Sequence, residues 1–125
     1  MLTPAFRVFA YPAPVDLRLG FAGLRELAGR QAKGGACYLF VNARRTRAKV
    51  LHYDGTGWGL YWKRLDDGRE FAQLWADDYD PAKPGTPLRL SWAQLLAFVR
   101  NTPAAKPVAA AAAGLLAPAR RRAAG

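Results

Sequence analysis

The pattern of apolar and polar positions along the chain predicts several short strands. Runs rich in β-branched and aromatic residues occupy 6–11, 37–41, 49–53 and 60–64, and a shorter apolar run covers 88–90. An Asp-Gly-Thr-Gly sequence at 54–57 separates two of these runs and has the composition of a hairpin turn. The runs from 37 to 64 are therefore expected to form an antiparallel meander.

A first helix is predicted after the proline-containing stretch that follows residue 11. Asp16 is suited to cap its N-terminus, and the helix is expected to run for about three turns and to end by Gly34. The residues expected to form its buried stripe, at helical spacing, are Leu17, Phe21, Leu24 and Ala28.

A second helix has the clearer signals. Ser91 and Gln94 form the Ser-x-x-Gln capping box, and Asn101 followed by Pro103 indicates the end of the helix. Its apolar residues, at i, i+3, i+4 and i+7, are Trp92, Leu95, Leu96 and Val99.

The order strand, helix, strands, helix predicts an α+β fold, with a mostly antiparallel sheet and two helices packed on one of its faces. This domain is expected to cover residues 1–101. Composition changes at 102–125, which are rich in alanine, proline and arginine and contain no acid and no aromatic residue. We expect that segment to be a disordered basic tail.

The net charge of the chain indicates which class of partner it binds. Nineteen Lys and Arg against nine Asp and Glu give a formal charge of +10, which favours a polyanion such as nucleic acid. A single cysteine, Cys37, and a single histidine, His52, exclude an internal disulfide and any Cys/His metal cluster. No apolar run reaches the ~20 residues of a membrane span, and the start lacks a signal-peptide pattern, so we expect no membrane contact and a cytoplasmic location.

The densest basic segment lies at 44–49, between two predicted strands, with a further Lys-Arg pair across the hairpin. A guanidinium group can direct two donors at one phosphate, so an arginine-rich loop suits contact with a nucleic-acid backbone. The alternative is a solvated basic surface. With an arginine near the predicted first helix added, the candidate nucleic-acid-binding residues are Arg18, Arg44, Arg45, Arg47, Lys49, Lys63 and Arg64.

Aromatic residues alternate with these cations on the same predicted strands. They would permit base stacking if the strand face were open, although aromatic residues on strands more often belong to the core. The residues in question are Tyr53, Trp58, Tyr61 and Trp62.

Candidate catalytic residues are few. Asp77, Asp78 and Asp80 form the only acidic cluster, inside one proline-bounded loop, which is more typical of a solvated turn than of a metal site. A serine hydrolase would have to combine His52 with Ser91, the only serine, which already serves as a helix cap. We therefore expect a protein without catalytic activity, metal or cofactor.

Three stretches, 15–24, 39–65 and 90–95, resemble the TnpB accessory protein of the insertion sequence 66 family. That family has an Asp-Met-Arg-Lys-Gly-Phe-like segment, an arginine-rich loop running into Lys-Val-Leu, an Asp-Gly hairpin and a Tyr-Lys-Arg-Leu strand. In this chain the corresponding segments are 16–21, 44–51, 54–55 and 61–65. The chain departs from the pattern at Leu19, where the family usually has Lys, and at Thr46, where an Asp often follows the arginines.

The resemblance implies an accessory factor in bacterial DNA transposition, encoded beside a separate DDE-type transposase that performs the strand chemistry. The hypothesis from the sequence is thus a basic α+β protein that binds element DNA through its arginine-rich loop. The expected partners are DNA, the transposase and a second accessory protein of the element. In the alternative hypothesis the chain is a protein adaptor whose arginines contact an acidic surface of one of those proteins.

Overall fold

A computed structural model of the chain describes residues 7–29 and 35–102. Within these residues, five strands form one sheet, which carries two helices, so the predicted α+β class is confirmed. The elements in chain order are β1 (Arg7–Ala10), α1 (Phe21–Ala28), β2 (Ala36–Val41), β3 (Arg47–Tyr53), β4 (Trp58–Arg64), β5 (Leu88–Leu90) and α2 (Trp92–Arg100).

The sheet has the spatial order β4-β3-β2-β1-β5. Strands β2, β3 and β4 form the predicted antiparallel meander, with Leu39 opposite Val50 and Val50 opposite Tyr61. Strand β1 pairs parallel to β2, which requires the crossover that α1 supplies. Strand β5 pairs antiparallel with the other side of β1, with Leu90 opposite Val8. Strand β1 therefore has a neighbouring strand on each side.

The two helices pack on opposite faces of the sheet, so the prediction that both lie on one face is wrong. Helix α1 buries Leu24 against Tyr38 and Phe40 of β2. Helix α2 buries Phe98 in the cluster that contains Leu39 of the same strand. Side chains alternate between the faces of a strand, so both faces of the sheet need apolar cover. All six residues of β2 are buried for this reason.

Helix α1 is shorter than the spacing predicted. It starts after Gly20, whose backbone is extended (φ −81°, ψ −170°), and it has eight residues. Gly29, with φ +65°, ends it by donating its N–H to the carbonyl of Arg25. Asp16 therefore does not cap the helix; it lies in a turn ahead of it. Phe21 is 45% exposed and is not part of the buried stripe.

The ends of helix α2 are as predicted, but its buried residues are Leu95 and Phe98, of which only Leu95 belongs to the predicted apolar face. The backbone N–H of Gln94 donates to Ser91 Oγ at 3.0 Å, and the N–H of Ser91 donates to Gln94 Oε1 at 2.7 Å, which completes the capping box. Asn101 adopts the left-handed conformation and closes the C-terminus. The tail predicted at 102–125 lies outside the described residues except for Thr102. Neither helix among the described residues is long and apolar enough to cross a bilayer.

Strand β4 forms one edge of the sheet, and close packing on its inner side restricts one of its positions. A Cβ atom added to Gly59 would lie 2.2 Å from Nε2 of His52, the residue opposite it on β3. Glycine is therefore required there so that the buried imidazole can lie across the neighbouring strand. Burial lowers the pKa of His52 below its usual value.

Candidate nucleic-acid interface

A groove of about 1020 Å³ opens on the face of the sheet that carries α1. Its walls are the segment 14–18 that precedes α1, the turn between β2 and β3, and the neighbouring parts of β3 and β4. We call it the basic groove because four of its lining residues are cationic and one, Asp16, is acidic. The cationic residues are Arg18, Arg44, Arg47 and Lys49.

Strand register explains why cations meet on this face. Arg47 lies directly opposite Arg64, and Lys49 lies directly opposite Trp62. The N–H of Leu65 donates to the carbonyl of the residue before Arg47 at 2.8 Å, so the neighbouring Arg47–Arg64 pair is of the non-hydrogen-bonded type. Side chains approach each other closely in such pairs. Like charges placed in this way repel, so the fold holds an unfavourable arrangement that an anion would relieve.

The β2–β3 turn is held by one asparagine. Asn42 Oδ1 accepts hydrogen bonds from the N–H of Thr46 at 2.9 Å and of Arg47 at 3.0 Å. Its Nδ2 donates to the Thr46 hydroxyl at 3.0 Å. These bonds fix the turn that presents Arg44 to solvent beside the groove. Asn42 was not among the residues predicted from the sequence, although Asn side chains commonly bond to backbone groups in turns.

Arg45, one residue further, is directed into the protein. Its guanidinium donates to the carbonyl of Phe71 at 3.1 Å and pairs with Glu70 Oε2 at 2.6 Å. Its own carbonyl accepts the N–H of Phe71 at 2.6 Å. Its backbone is in the left-handed region, with φ +58°. Arg45 therefore ties the turn to the segment that follows β4.

The two candidate lysines also contact backbone carbonyls. Lys63 Nζ donates to the carbonyl of Val99, in the last turn of α2, at 2.6 Å and thus lies on the face away from the groove. Lys49 Nζ donates to the carbonyl of Leu17 at 2.7 Å and holds the groove wall that precedes α1. Its positive charge stays within the groove.

Arg18 lies in that wall, ahead of α1 and not within its first turn. It forms a two-pronged ion pair with Asp16, in which Nε and Nη2 lie 3.0 and 2.8 Å from the carboxylate oxygens. These hydrogen bonds lower the pKa of Asp16 to about 2, so the carboxylate stays ionised at neutral pH. The Arg18 side chain is nevertheless 89% exposed, which leaves donors directed at solvent.

The seven candidate residues thus separate into two sets. The structure brings five of them to the groove face, and DNA contact by any of these stays a prediction. Arg45 and Lys63 make contacts within the protein on other surfaces. The five on the groove face are Arg18, Arg44, Arg47, Lys49 and Arg64.

The four aromatic residues also separate. Tyr53 and Trp58 pack against each other with ring centroids 5.0 Å apart, and the Arg25 guanidinium lies 5.4 Å from the Trp58 ring. Tyr61 and Trp62 are 41% and 54% exposed and, as neighbours on one strand, point to opposite faces. Trp62 alone of the four lines the basic groove.

The acidic loop makes local contacts. Asp77 accepts a hydrogen bond from Gln73 Nε2 at 2.7 Å, and Asp80 accepts the N–H of Ala82 at 2.9 Å. Across residues 7–29 and 35–102, no group of three or more His, Cys, Asp and Glu residues is placed to hold a metal ion.

The model of the family described as IS66 Orf2-like protein matches residues 6–109. The chain belongs to this family of TnpB accessory proteins of insertion elements, and the resemblance based on its sequence segments is confirmed. No curated protein and no solved structure matches the chain. Membership places the chain in insertion-element transposition.

Proposed function

We propose that this protein supports transposition by binding the phosphate backbone of element DNA in the basic groove. The observation that carries the proposal is the cross-strand pair of exposed arginines, Arg47 and Arg64, with Lys49 next to it on the same face. Arg44 extends the positive surface to the turn, and Arg18 presents exposed donors beside its partner Asp16 on the opposite wall.

A phosphate group explains why such an arrangement is tolerated. Two guanidinium groups held side by side can each direct parallel N–H donors at one phosphate, and the anion removes their mutual repulsion. The turn that Asn42 fixes and the wall that Lys49 holds are already formed in the free protein. Ordering these elements therefore costs little when DNA binds.

The proposal gives Arg45 and Lys63 a different role from the one that the sequence predicted. Both bond to carbonyl groups, at Phe71 and Val99, on surfaces away from the groove, whereas the carbonyl that Lys49 contacts lies in the groove wall. We assign them to positioning the turn and α2, and we assign DNA contact to the five residues of the groove face.

In this proposal the protein has no catalytic activity, and the transposase cleaves and joins the DNA strands. Support comes from the protein's membership in a family of accessory proteins and from Asp77 and Asp80, each of which accepts a hydrogen bond from a nearby residue. Incubation of the purified protein with supercoiled DNA and Mg²⁺ or Mn²⁺ should leave the DNA intact. Nicking that is abolished by changing Asp77, Asp78 and Asp80 to Asn would contradict the assignment.

Binding is tested by fluorescence anisotropy with element-end DNA and a scrambled sequence over a series of salt concentrations. Each phosphate contact contributes about −0.9 to the slope of log K against log salt on duplex DNA and about −0.7 on a single strand. Removal of three contacts should therefore flatten the slope by about 2.1 to 2.7. The variant is the triple substitution Arg44→Ala, Arg47→Ala and Arg64→Ala.

A matched control removes three exposed arginines elsewhere and lowers the net charge equally. It is the triple substitution Arg69→Ala, Arg89→Ala and Arg100→Ala, and it should flatten the slope much less. Equal effects of the two triple variants would show that binding follows net charge and not the groove.

Adding the transposase to the binding assay distinguishes the DNA-binding proposal from the adaptor alternative. If the groove variant binds DNA as the wild type does but no longer binds transposase, the arginines contact protein and the DNA proposal is wrong. If it loses DNA and retains transposase, the proposal stands.

A further inference from the structure

We infer that the DNA bound in the basic groove is single-stranded, and that Trp62 is the platform on which an unpaired base stacks. This inference rests on the proposed function and adds the class of nucleic acid to it. Trp62 is 54% exposed, the highest value among the large apolar side chains that the structure describes as exposed. This exposure leaves about half of the indole surface accessible to a ligand.

The position of Trp62 suits a base. It lies on the groove face of β4, directly opposite Lys49 and two residues before Arg64. Residues two apart on a strand are separated by about 6.8 Å, which one nucleotide of an extended strand can span. A base on the indole would therefore bring its own phosphate within reach of the arginine pair formed by Arg64 and Arg47.

The edge position of β4 leaves room for that base. In the order β4-β3-β2-β1-β5, β4 has one neighbouring strand among the described residues. The indole of Trp62 consequently has β3 on one side and the edge of the sheet on the other. A ring in the middle of a sheet would have side chains on both flanks.

Duplex DNA does not offer what this arrangement recognises. Bases in a duplex cover each other's faces and show only their edges in the grooves. An unpaired strand exposes the faces, and proteins that bind it combine a cationic groove with aromatic residues on which bases stack. The basic groove contains both components, because Trp62 and four cationic residues line it.

The test compares the affinity of the protein for single-stranded oligothymidine with its affinity for a duplex of the same length, and the single strand should bind more tightly. Stacking of one base is worth roughly 1 to 3 kcal/mol, so Trp62→Leu should weaken binding to oligothymidine by about 5- to 150-fold. Trp62→Phe should retain most of the affinity. Tyr61→Leu is the matched control, since Tyr61 is the next residue, is similarly exposed and points to the opposite face; it should change the affinity less than about twofold. Wild-type indole fluorescence should be quenched by oligothymidine, with a smaller change in Trp62→Leu.

The outcomes separate the inference from the proposed function. If Trp62→Leu leaves oligothymidine affinity unchanged while the groove arginine triple variant loses it, the stacking inference is wrong and the groove assignment stands. If Trp62→Leu weakens duplex and single-stranded binding equally, single-strand selectivity is wrong. If neither the arginine variant nor Trp62→Leu changes any DNA affinity, both proposals are wrong. Thermal melting of each variant checks that it is folded.

Discussion

Replacement by alanine should affect a different property at each of two consecutive arginines, Arg44 and Arg45. Arg44 is exposed at the tip of the β2–β3 turn, whereas Arg45 bonds to Glu70 and to the carbonyl of Phe71. We expect Arg45→Ala to destabilise the fold with little direct effect on DNA contact. We expect Arg44→Ala to leave stability unchanged and to weaken DNA binding.

The magnitude for Arg45→Ala follows from its two contacts. The charged hydrogen bond to the Phe71 carbonyl contributes about 1.5 kcal/mol, at the low end for such bonds because the side chain is 30% exposed. The ion pair with Glu70, whose side chain is 57% exposed, adds at most about 0.5 kcal/mol. The expected loss of unfolding free energy is therefore about 2 kcal/mol, or roughly 10 °C in Tm for a domain of this size.

A third substitution separates the side chain from the backbone. Arg45 has φ +58°, and glycine relieves the strain of that conformation by about 1 kcal/mol, so Arg45→Gly should cost roughly half as much as Arg45→Ala. Thermal and urea unfolding of the three variants measures these differences. Melting of Arg45→Ala with the wild type, or melting of Arg44→Ala as low as Arg45→Ala, would contradict the contacts assigned to Arg45.

Other changes test the capping box and the His52 contact. Ser91→Ala should lower the free energy of unfolding by about 1 kcal/mol, measured in urea, because it removes the N-cap bond to Gln94. Gly59→Ala should cost about 1 to 3 kcal/mol in the same assay, because the new methyl group overlaps the His52 ring; an unchanged midpoint would show that the ring moves freely. The pKa of His52 is lowered in the folded state, so its contribution to stability is complete above its unfolded value of about 6.5 and is lost as pH falls below it. His52→Gln should flatten this decline between pH 7 and 5, and an unaltered slope would assign the decline to other groups.

Local signals predicted the elements of this fold better than their arrangement. The capping box at Ser91 and the Asp-Gly turn at 54–57 act within a few residues, and both elements formed as predicted. The placement of α1 and α2 on opposite faces depends on contacts between distant segments. The continuous burial of β2 on both faces was already visible as the apolar run 37–41, which is the signal that could have predicted two covered faces.

In the candidate site, too, local sequence signals predicted some features, whereas others depend on distant segments. Alternation along β3 and β4 places Arg47, Lys49 and Arg64 on one face, and this follows from the hairpin register alone. The inward course of Arg45 does not, because it depends on a left-handed backbone and on Phe71, 26 residues later. Composition cannot distinguish a cation that contacts solvent from one that bonds to a carbonyl of its own chain.

The position of β1 between β2 and β5 has a consequence for synthesis of the protein in the cell. Val8 pairs with Leu90, so the second neighbour of the first strand is made 82 residues after it. At about 5 to 20 residues per second, a ribosome needs roughly 4 to 16 s to supply that neighbour. The meander and α1 can form during this interval, while one side of β1 keeps its backbone donors and acceptors open to other nascent chains. Completion of the described sheet therefore waits for β5, and α2 is synthesised directly after it.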